Sequence, residues 1–327
     1  MPGRRTGRAG AGLVGLVAAV TVSGCGGSGS ETTGSAAGAA ASTADEVRTV
    51  DHALGEAEIS GTPERVVVLD TGELDTVLSL GVTPVGAVRT DASTELPGYL
   101  ADAGADPDEI AEVGTIAEPN LEAIAALDPD LILSNTARHT DLYDQLQGIA
   151  PTVMGEGVGE TWKQNLPVYA EALGRPEEGE ELLTEYEDRA AEVGALFGEP
   201  AEVEVSIVRS VGTGSARLYG EGSFIGTVLA DAGFARPELQ RTDETFVEVG
   251  PEEIGRADGD LLFYSAYGEG GEAELADLTN GGLWQSMGAV QRGDAVPVDD
   301  DRWFLAIGPL GAGLVLDDLT EVAQQRS

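Results

Sequence analysis

Residues 61–88 read GTPERVVVLDTGELDTVLSLGVTPVGAV. After a turn-forming start, the run RVVVL at 65–69, which is apolar from residue 66 onward, is typical of a buried strand. A helical pattern follows at 73–80 and ends at Gly81, which is the residue type that most often stops a helix. A second short apolar run lies at 83–88. A strand, a helix and another strand in this order predict a parallel β–α–β unit.

The same alternation recurs along most of the chain. Asn120 is placed to cap a helix over 121–127, and a strand is expected over 130–133. Residues 162–197 instead carry helical patterns without a strand, and the alternation resumes at 203–208. The pattern therefore predicts an α/β protein with two Rossmann-like lobes, each built on a parallel sheet, on either side of a helical segment.

The charge of the chain excludes several kinds of partner. Its 327 residues include 18 Lys+Arg and 58 Asp+Glu, which gives a formal net charge of −40. Lysine occurs once, at Lys163, whereas nucleic-acid binding needs clustered basic residues. One cysteine excludes a disulfide within the chain, and with only two histidines it argues against a Cys/His zinc site. We therefore expect neither nucleic acid nor a directly bound metal ion.

The N-terminus explains the single cysteine. Three arginines among residues 4–8 precede an uncharged stretch at 9–22, which is too short to span a bilayer and is typical of a secretory signal. Residues 22–25, VSGC, resemble the lipobox of bacterial lipoproteins. That resemblance implies a signal peptide over 1–24 and a lipid attached to Cys25. The alternative is an ordinary export signal with an incidental cysteine.

A low-complexity segment follows Cys25. Gly, Ser, Ala and Thr dominate as far as about residue 44, and we assign 25–60 to the lipidated cysteine and a flexible tether. No later apolar run is long enough to cross a bilayer. The sequence thus predicts a protein on the outer face of the cytoplasmic membrane, held there by its lipid.

Catalytic motifs are missing from the sequence. Residues 212–216, GTGSA, lack the spacing of a nucleophile elbow, and no glycine ladder precedes Lys163 as a phosphate-binding loop would require. The acidic run Asp299–Asp301 does not match a calcium loop. We therefore predict a protein that is not an enzyme and needs no cofactor.

Several segments resemble one family. TPERVVVL at 62–69 and LGVTPVG at 80–86 resemble the opening of iron–siderophore binding lipoproteins of ABC importers. The resemblance continues through EPNLEAI at 118–124, LDPDLIL at 127–133 and VLADAGF at 228–234, and it covers about residues 47 to 320 in unbroken order.

This resemblance implies an architecture and a role. It implies an N-terminal lobe over 61–175 and a C-terminal lobe over 199–327, joined by a single long helix over 176–198, with the ligand in the cleft between the lobes. A monomer would capture a ferric siderophore and deliver it to an ABC permease and its ATPase. Haem or cobalamin is an alternative ligand for the same fold. A surface-tethered hydrolase is the alternative from a different class.

The resemblance also implies docking residues. Family members offer one glutamate from each lobe to arginines of the permease, and the matching positions here are Glu122 and Glu238. Two exposed carboxylates at a fixed separation can orient a basic partner through charge-assisted pairs. The alternative is that both are ordinary solvated acids.

Arginine and aromatic residues are the candidates for ligand binding. An anionic iron chelate favours guanidinium partners, and α/β folds bind ligands at the carboxyl ends of their strands. Three of the candidates are arginines that follow strand patterns. A fourth arginine and two aromatic residues flank the loop before residue 224, and a tryptophan resembles the residue that packs on the ligand in relatives. The alternative for the aromatic residues is that they belong to the core. The candidates are Arg89, Arg138, Arg209, Arg217, Tyr219, Phe224 and Trp303. The sequence leaves open whether the chelate is a hydroxamate, a catecholate or a citrate type.

Overall fold

The structure is a computed structural model that describes residues 47–326. The predicted signal peptide, Cys25 and the first part of the tether lie outside the described residues. Within 47–326, no helix has both the length and the apolar composition needed to cross a bilayer.

The strands and helices alternate as the sequence indicates. The strands are β1 (Val47–His52), β2 (Gly55–Ser60), β3 (Val66–Val68), β4 (Gly86–Arg89), β5 (Ala111–Thr115), β6 (Leu131–Asn135), β7 (Thr152–Gly155), β8 (Val205–Ser210), β9 (Ala216–Tyr219), β10 (Phe246–Val249), β11 (Leu261–Ala266) and β12 (Ala295–Pro297). The helices are α1 (Thr71–Ser79), α2 (Leu121–Ala126), α3 (Thr136–His139), α4 (Tyr143–Gln147), α5 (Trp162–Leu173), α6 (Pro176–Ala195), α7 (Phe224–Asp231), α8 (Gly268–Asn280), α9 (Gly282–Gln285), α10 (Gly288–Arg292) and α11 (Pro309–Arg326).

The first sheet is fully parallel, with strand order β5-β4-β3-β6-β7. Its central strands β3 and β6 are buried along their whole length, as expected of strands covered on both faces by helices. Asn120 caps α2 by accepting a hydrogen bond from the Ala123 amide at 3.1 Å. The predicted α/β organisation of this lobe is confirmed.

The second sheet is mixed, so the prediction of a parallel sheet in this lobe is wrong in part. Its order is β10-β9-β8-β11-β12, and β9 runs antiparallel to both of its neighbours. Only residues 211–215 connect β8 to β9, whereas a parallel crossover needs a dozen residues or more. Gly212 and Gly214, with φ of 77° and 84°, allow this tight reversal.

A β-hairpin occupies part of the segment that we assigned to the tether. β1 and β2 pair in register, and Val50 and Ile59 are buried in the core of the first lobe. Arg48 fastens the hairpin to that lobe through hydrogen bonds to the carbonyl oxygens of Glu171 and Ala172 at 2.9 and 2.5 Å. Residues 47–60 therefore belong to the first lobe, and the prediction that the tether extends to residue 60 is wrong.

Helices α6 and α11 both pack across the two lobes. α6 follows the first sheet in sequence, and its Leu183 packs against the cores of both lobes. The C-terminal helix α11 crosses as well, because Leu314 packs on the first-lobe core whereas Val315 lies in the second. Asp75 of α1 accepts hydrogen bonds from the backbone amides at the start of α11, at 3.0 and 2.8 Å. The start of α11 thus packs on the first lobe, and its later turns, with Leu319 and Val322, pack in the core of the second.

Candidate ligand-binding cleft

A cleft of about 550 Å³ lies between the two lobes. The first lobe contributes the segments that follow β3, β4 and β6, which are the carboxyl ends of parallel strands where open α/β sheets bind ligands. The second lobe contributes the ends of β8, β9 and β11 and a π-helical turn at Asp301–Leu305. Six of the seven predicted ligand residues line it: Arg138, Arg209, Arg217, Tyr219, Phe224 and Trp303.

Arg138 stands on the first-lobe wall. It lies in α3 directly after β6, where the Asn135 side chain caps the helix by accepting from the Arg138 amide at 3.1 Å. Its Nε donates to Asp70 Oδ2 at 2.9 Å, and the arginine side chain stays 45% exposed although that of Asp70 is 1% exposed. Burial lowers the pKa of Arg138, but the charge and hydrogen bond of Asp70 outweigh this and raise it. Arg138 therefore presents a permanent positive charge to the cleft.

A buried glutamate lies beneath this pair. Glu73 Oε1 accepts hydrogen bonds from Tyr169 Oη at 2.6 Å and from Asn135 Nδ2 at 3.2 Å, whereas Oε2 is buried without a partner among the described residues. Burial, and then the nearby charge of Asp70, raise the pKa of Glu73 to about 7. This carboxyl group is thus poised between its neutral and ionised forms near neutral pH.

Arg209 is held rigidly at the end of β8. Its Nε donates to Asp300 Oδ1 at 2.7 Å, its Nη2 pairs with the other carboxylate oxygen, and its Nη1 donates to Tyr219 Oη at 3.1 Å. The guanidinium lies 4.7 Å from the ring centres of both Tyr267 and Phe304. Burial lowers the pKa of Arg209, yet the hydrogen bond with Asp300 raises it above its usual range. A bidentate pair between two aromatic rings fixes the orientation of this group.

Arg217 lies nearer to solvent. Its Nε is 3.4 Å from Glu248 Oε1, and its guanidinium stacks 4.2 Å from the centre of the Phe246 ring. Both partners belong to β10, which pairs with the strand that carries Arg217. This arrangement leaves Arg217 and Phe246 partly exposed at the second-lobe wall.

Trp303 is a wall residue without exposed surface. Its side chain is 0% exposed, packs 4.7 Å from Phe263 and donates from Nε1 to Asp318 at 2.6 Å. These contacts correspond to the alternative in which the aromatic residue belongs to the core. Partly exposed aromatic surface comes instead from Phe246 and Tyr267.

Arg89 lies apart from the cleft. Its Nε pairs with Glu112 at 3.1 Å and its Nη1 donates to the Ser93 carbonyl at 2.5 Å. The next two residues, Thr90 and Asp91, follow the end of β4 and line the cleft in its place. The end of β4 therefore does border the cleft, but the Arg89 side chain is not among the residues that line it.

Sequence reasoning missed several residues of the cleft. Tyr267 follows β11, so the strand-end rule that singled out Arg209 could have found it. Phe246 in the cleft and Asp300, which pairs with Arg209 beside it, carry no such signal, because their proximity to the arginines depends on the pairing of β10 and on the π-helical turn.

The two proposed docking residues lie outside the cleft. Glu122 is exposed in the first turn of α2, and Glu238 is exposed at the start of a 3₁₀ turn, Glu238–Gln240. Within residues 47–326 neither carboxylate forms an ion pair. In the same part of the chain, no cluster of three or more His, Cys, Asp or Glu side chains is placed to hold a metal ion.

Comparisons with known proteins agree on one family. The profile of the family described as "Periplasmic binding protein" matches residues 66–301. The probable siderophore-binding lipoprotein YfiY of Bacillus subtilis is 37% identical over 289 residues, which cover 85% of this chain and 88% of that protein. The Fe(3+)-citrate-binding protein YfmC of the same species is 32% identical over 266 residues, which cover 80% of this chain and 81% of that protein. The crystal structure of Staphylococcus aureus SirA complexed with staphyloferrin B superimposes with a TM-score of 0.74 at 30% identity, over 84% of this chain and 97% of that one.

Proposed function

The chain belongs to the periplasmic binding protein family, and from this premise we propose that it captures a ferric siderophore outside the cytoplasm. It then delivers the chelate to an ABC permease for iron uptake. The chain itself carries out no reaction, and iron arrives already held by the chelator as cargo.

The single observation that carries this proposal is the composition of the cleft between the lobes. Its walls combine guanidinium groups on both lobes with aromatic rings, and its volume of about 550 Å³ lies in the usual range for small-molecule sites. Arginine offers planar donors to the oxygen atoms of an iron chelate, and aromatic rings pack against its organic backbone. Because Arg138 and Arg209 stand on opposite lobes, one ligand can contact both.

Docking on the permease is assigned to Glu122 and Glu238. Both carboxylates are exposed, one on each lobe, and neither is engaged in an ion pair among the described residues. Such groups can pair with basic residues of a partner without first breaking an internal contact. The lipid on Cys25 and the tether that follows it would keep the protein close to this partner at the outer face of the membrane.

Ligand titration tests the proposal. Trp303 borders the cleft, so a bound ferric chelate is expected to quench tryptophan fluorescence, and the iron-free chelator much less. The panel consists of hydroxamate, catecholate and citrate ferric chelates, with haem and cobalamin as the competing ligand classes. Saturable quenching by a ferric chelate at micromolar concentration or below supports the proposal. Quenching by none of the ferric chelates would overturn it.

A matched pair of arginine variants locates the site. Arg138→Gln removes guanidinium hydrogen-bond donors from the first-lobe wall and is expected to weaken binding by about tenfold, which corresponds to about 1.4 kcal/mol. Arg256→Gln is the control, since Arg256 pairs with Glu253 on the surface outside the cleft. Equal affinities for both variants would place the ligand elsewhere.

Charge reversal tests docking separately. The double variant Glu122→Lys and Glu238→Lys is expected to bind the chelate with unchanged affinity and to lose uptake in cells that carry the cognate permease. Glu58→Lys, on the exposed face of β2, is the control and should retain uptake. Loss of chelate binding in the double variant would show that the two residues have another role.

A further inference from the structure

The charge balance around the cleft points to the chemical class of the ligand. Each arginine that lines the cleft already has a carboxylate partner: Arg138 has Asp70, Arg209 has Asp300, and Arg217 has Glu248. No cleft arginine within the described residues is therefore left without a counter-ion. The three positive charges are balanced before any ligand arrives.

Further acids surround these pairs. Asp91 lines the cleft and is exposed. A recess of about 440 Å³ adjoins the cleft and shares Thr90, Tyr267 and Leu305 with it. Its walls include four carboxylates: Glu272, Asp299, Asp300 and Asp301. Carboxylates thus outnumber guanidinium groups around the cleft.

The pairs on Asp70 and Asp300 are costly to break. The Asp70 side chain is 1% exposed and that of Asp300 is 15% exposed. A polyanionic ligand that took Arg138 or Arg209 for itself would leave one of these largely buried carboxylates without its positively charged partner. A polyanion that left the pairs intact would instead meet the surplus acids at close range.

A ligand of low charge meets neither obstacle. Phe246 and Tyr267 offer partly exposed rings to such a ligand. The Thr90 hydroxyl is buried and has no hydrogen-bond partner among residues 47–326. Thr90 lines both the cleft and the recess and is 3% exposed. Rings and an unused hydroxyl suit the carbon chain and the amide or hydroxamate oxygens of an uncharged chelate.

We propose that the cleft selects ferric chelates that are neutral or cationic, of which tris-hydroxamates are the common chemical class, over trianionic chelates. This inference rests on the proposed function and narrows it. Three monoanionic hydroxamates neutralise Fe³⁺, whereas three catecholates leave a complex with three negative charges.

Three iron-loaded probes test the inference by tryptophan fluorescence titration: neutral ferrichrome, monocationic ferrioxamine B and trianionic ferric enterobactin. We expect the neutral or the cationic probe to bind at least tenfold more tightly than the trianion. We also expect the trianion to bind more tightly as salt is added, because salt screens repulsion between like charges. A trianion that binds most tightly, and that weakens with added salt, would overturn the inference and leave the proposed function standing. Failure of every ferric chelate to bind would overturn both.

Charge variants separate the effect of charge from the effect of ligand shape. Glu248→Gln releases Arg217 and is expected to reduce the preference for ferrichrome over the trianion by about threefold, because the released positive charge attracts the trianion. Asp91→Asn changes a second exposed acid and should act in the same direction. Glu253→Gln removes an exposed carboxylate that pairs with Arg256 outside the cleft, and it should change neither affinity. Unchanged discrimination in both cleft variants would refute the role of charge.

Discussion

Substitution of Glu73 by glutamine should stabilise the protein in a way that depends on pH. Burial and the charge of Asp70 raise the pKa of Glu73 from its ordinary value of 4.5 to about 7. Since the folded state holds this proton more tightly than the unfolded state, ionisation of Glu73 opposes folding. The unfavourable contribution is absent well below pH 4.5, grows between pH 4.5 and pH 7, and is complete above pH 7.

The size of this effect follows from the shift in pKa. A rise from 4.5 to about 7 corresponds to about 3 kcal/mol at roughly 1.4 kcal/mol per pKa unit. A glutamine side chain at this position resembles the protonated acid, because its amide oxygen can still accept from Tyr169 and Asn135. We therefore expect Glu73→Gln to match the natural protein at pH 4 and to exceed its free energy of unfolding by about 3 kcal/mol at pH 8.

Urea denaturation followed by circular dichroism between pH 4 and pH 8 measures this difference. Asp75 is also buried with a pKa raised to about 7, but it is present in both proteins and cancels in the comparison. Glu58→Gln, exposed on β2, is the control and should follow the natural protein throughout. A stability difference between Glu73→Gln and the natural protein that is the same at every pH would refute the reasoning.

Three further substitutions probe packing and buried hydrogen bonds by the same measurement. Gly194→Ala would place a methyl group 2.0 Å from the Ala232 carbonyl oxygen, so a loss of about 1–3 kcal/mol is expected; Gly255→Ala, which meets nothing within 4 Å, should show none. Trp303→Phe leaves Asp318 without the indole donor and should lower the free energy of unfolding by about 1–3 kcal/mol. An unchanged free energy of unfolding would mean that solvent replaces that hydrogen bond. Arg236→Met removes the donors to the carbonyls of Val205 and Tyr219 and should cost at least as much; Arg236→Lys should recover only part of it, and full recovery would contradict a role for the planar guanidinium.

Local patterns carried enough information for most elements but not for their tertiary arrangement. The strand predicted over 65–69 contains β3, and the helix predicted after Asn120 is α2, because an apolar run and a helix cap can both be recognised from residues adjacent in sequence. The strand direction in the second lobe was not predictable from the β–α alternation alone. β9 is antiparallel because a short glycine-containing turn joins it to β8. The crossing of α11 depends on contacts of Asp75 with residues 235 and 236 positions away.

The candidate site shows the same division. The rule that ligands bind at the carboxyl ends of strands correctly brought Arg138 and Arg209 to the cleft. It could not show that Asp300, rather than either acidic neighbour, would pair with Arg209, because three identical residues in a row differ only in the direction that the backbone gives them. The charge of the cleft is therefore a property of the folded chain.

The packing of α6 and α11 across both lobes has a consequence for how the protein competes for its permease. Because α6 and α11 both pack against the two lobes, ligand binding is expected to change the distance between the lobes only slightly. If docking uses Glu122 and Glu238, empty and loaded molecules present nearly the same pair of carboxylates to the permease. Empty protein would then compete with loaded protein for the same transporter. An excess of unloaded protein over available chelate would slow iron uptake, so uptake would be fastest when the amount of this binding protein matches the supply of siderophore.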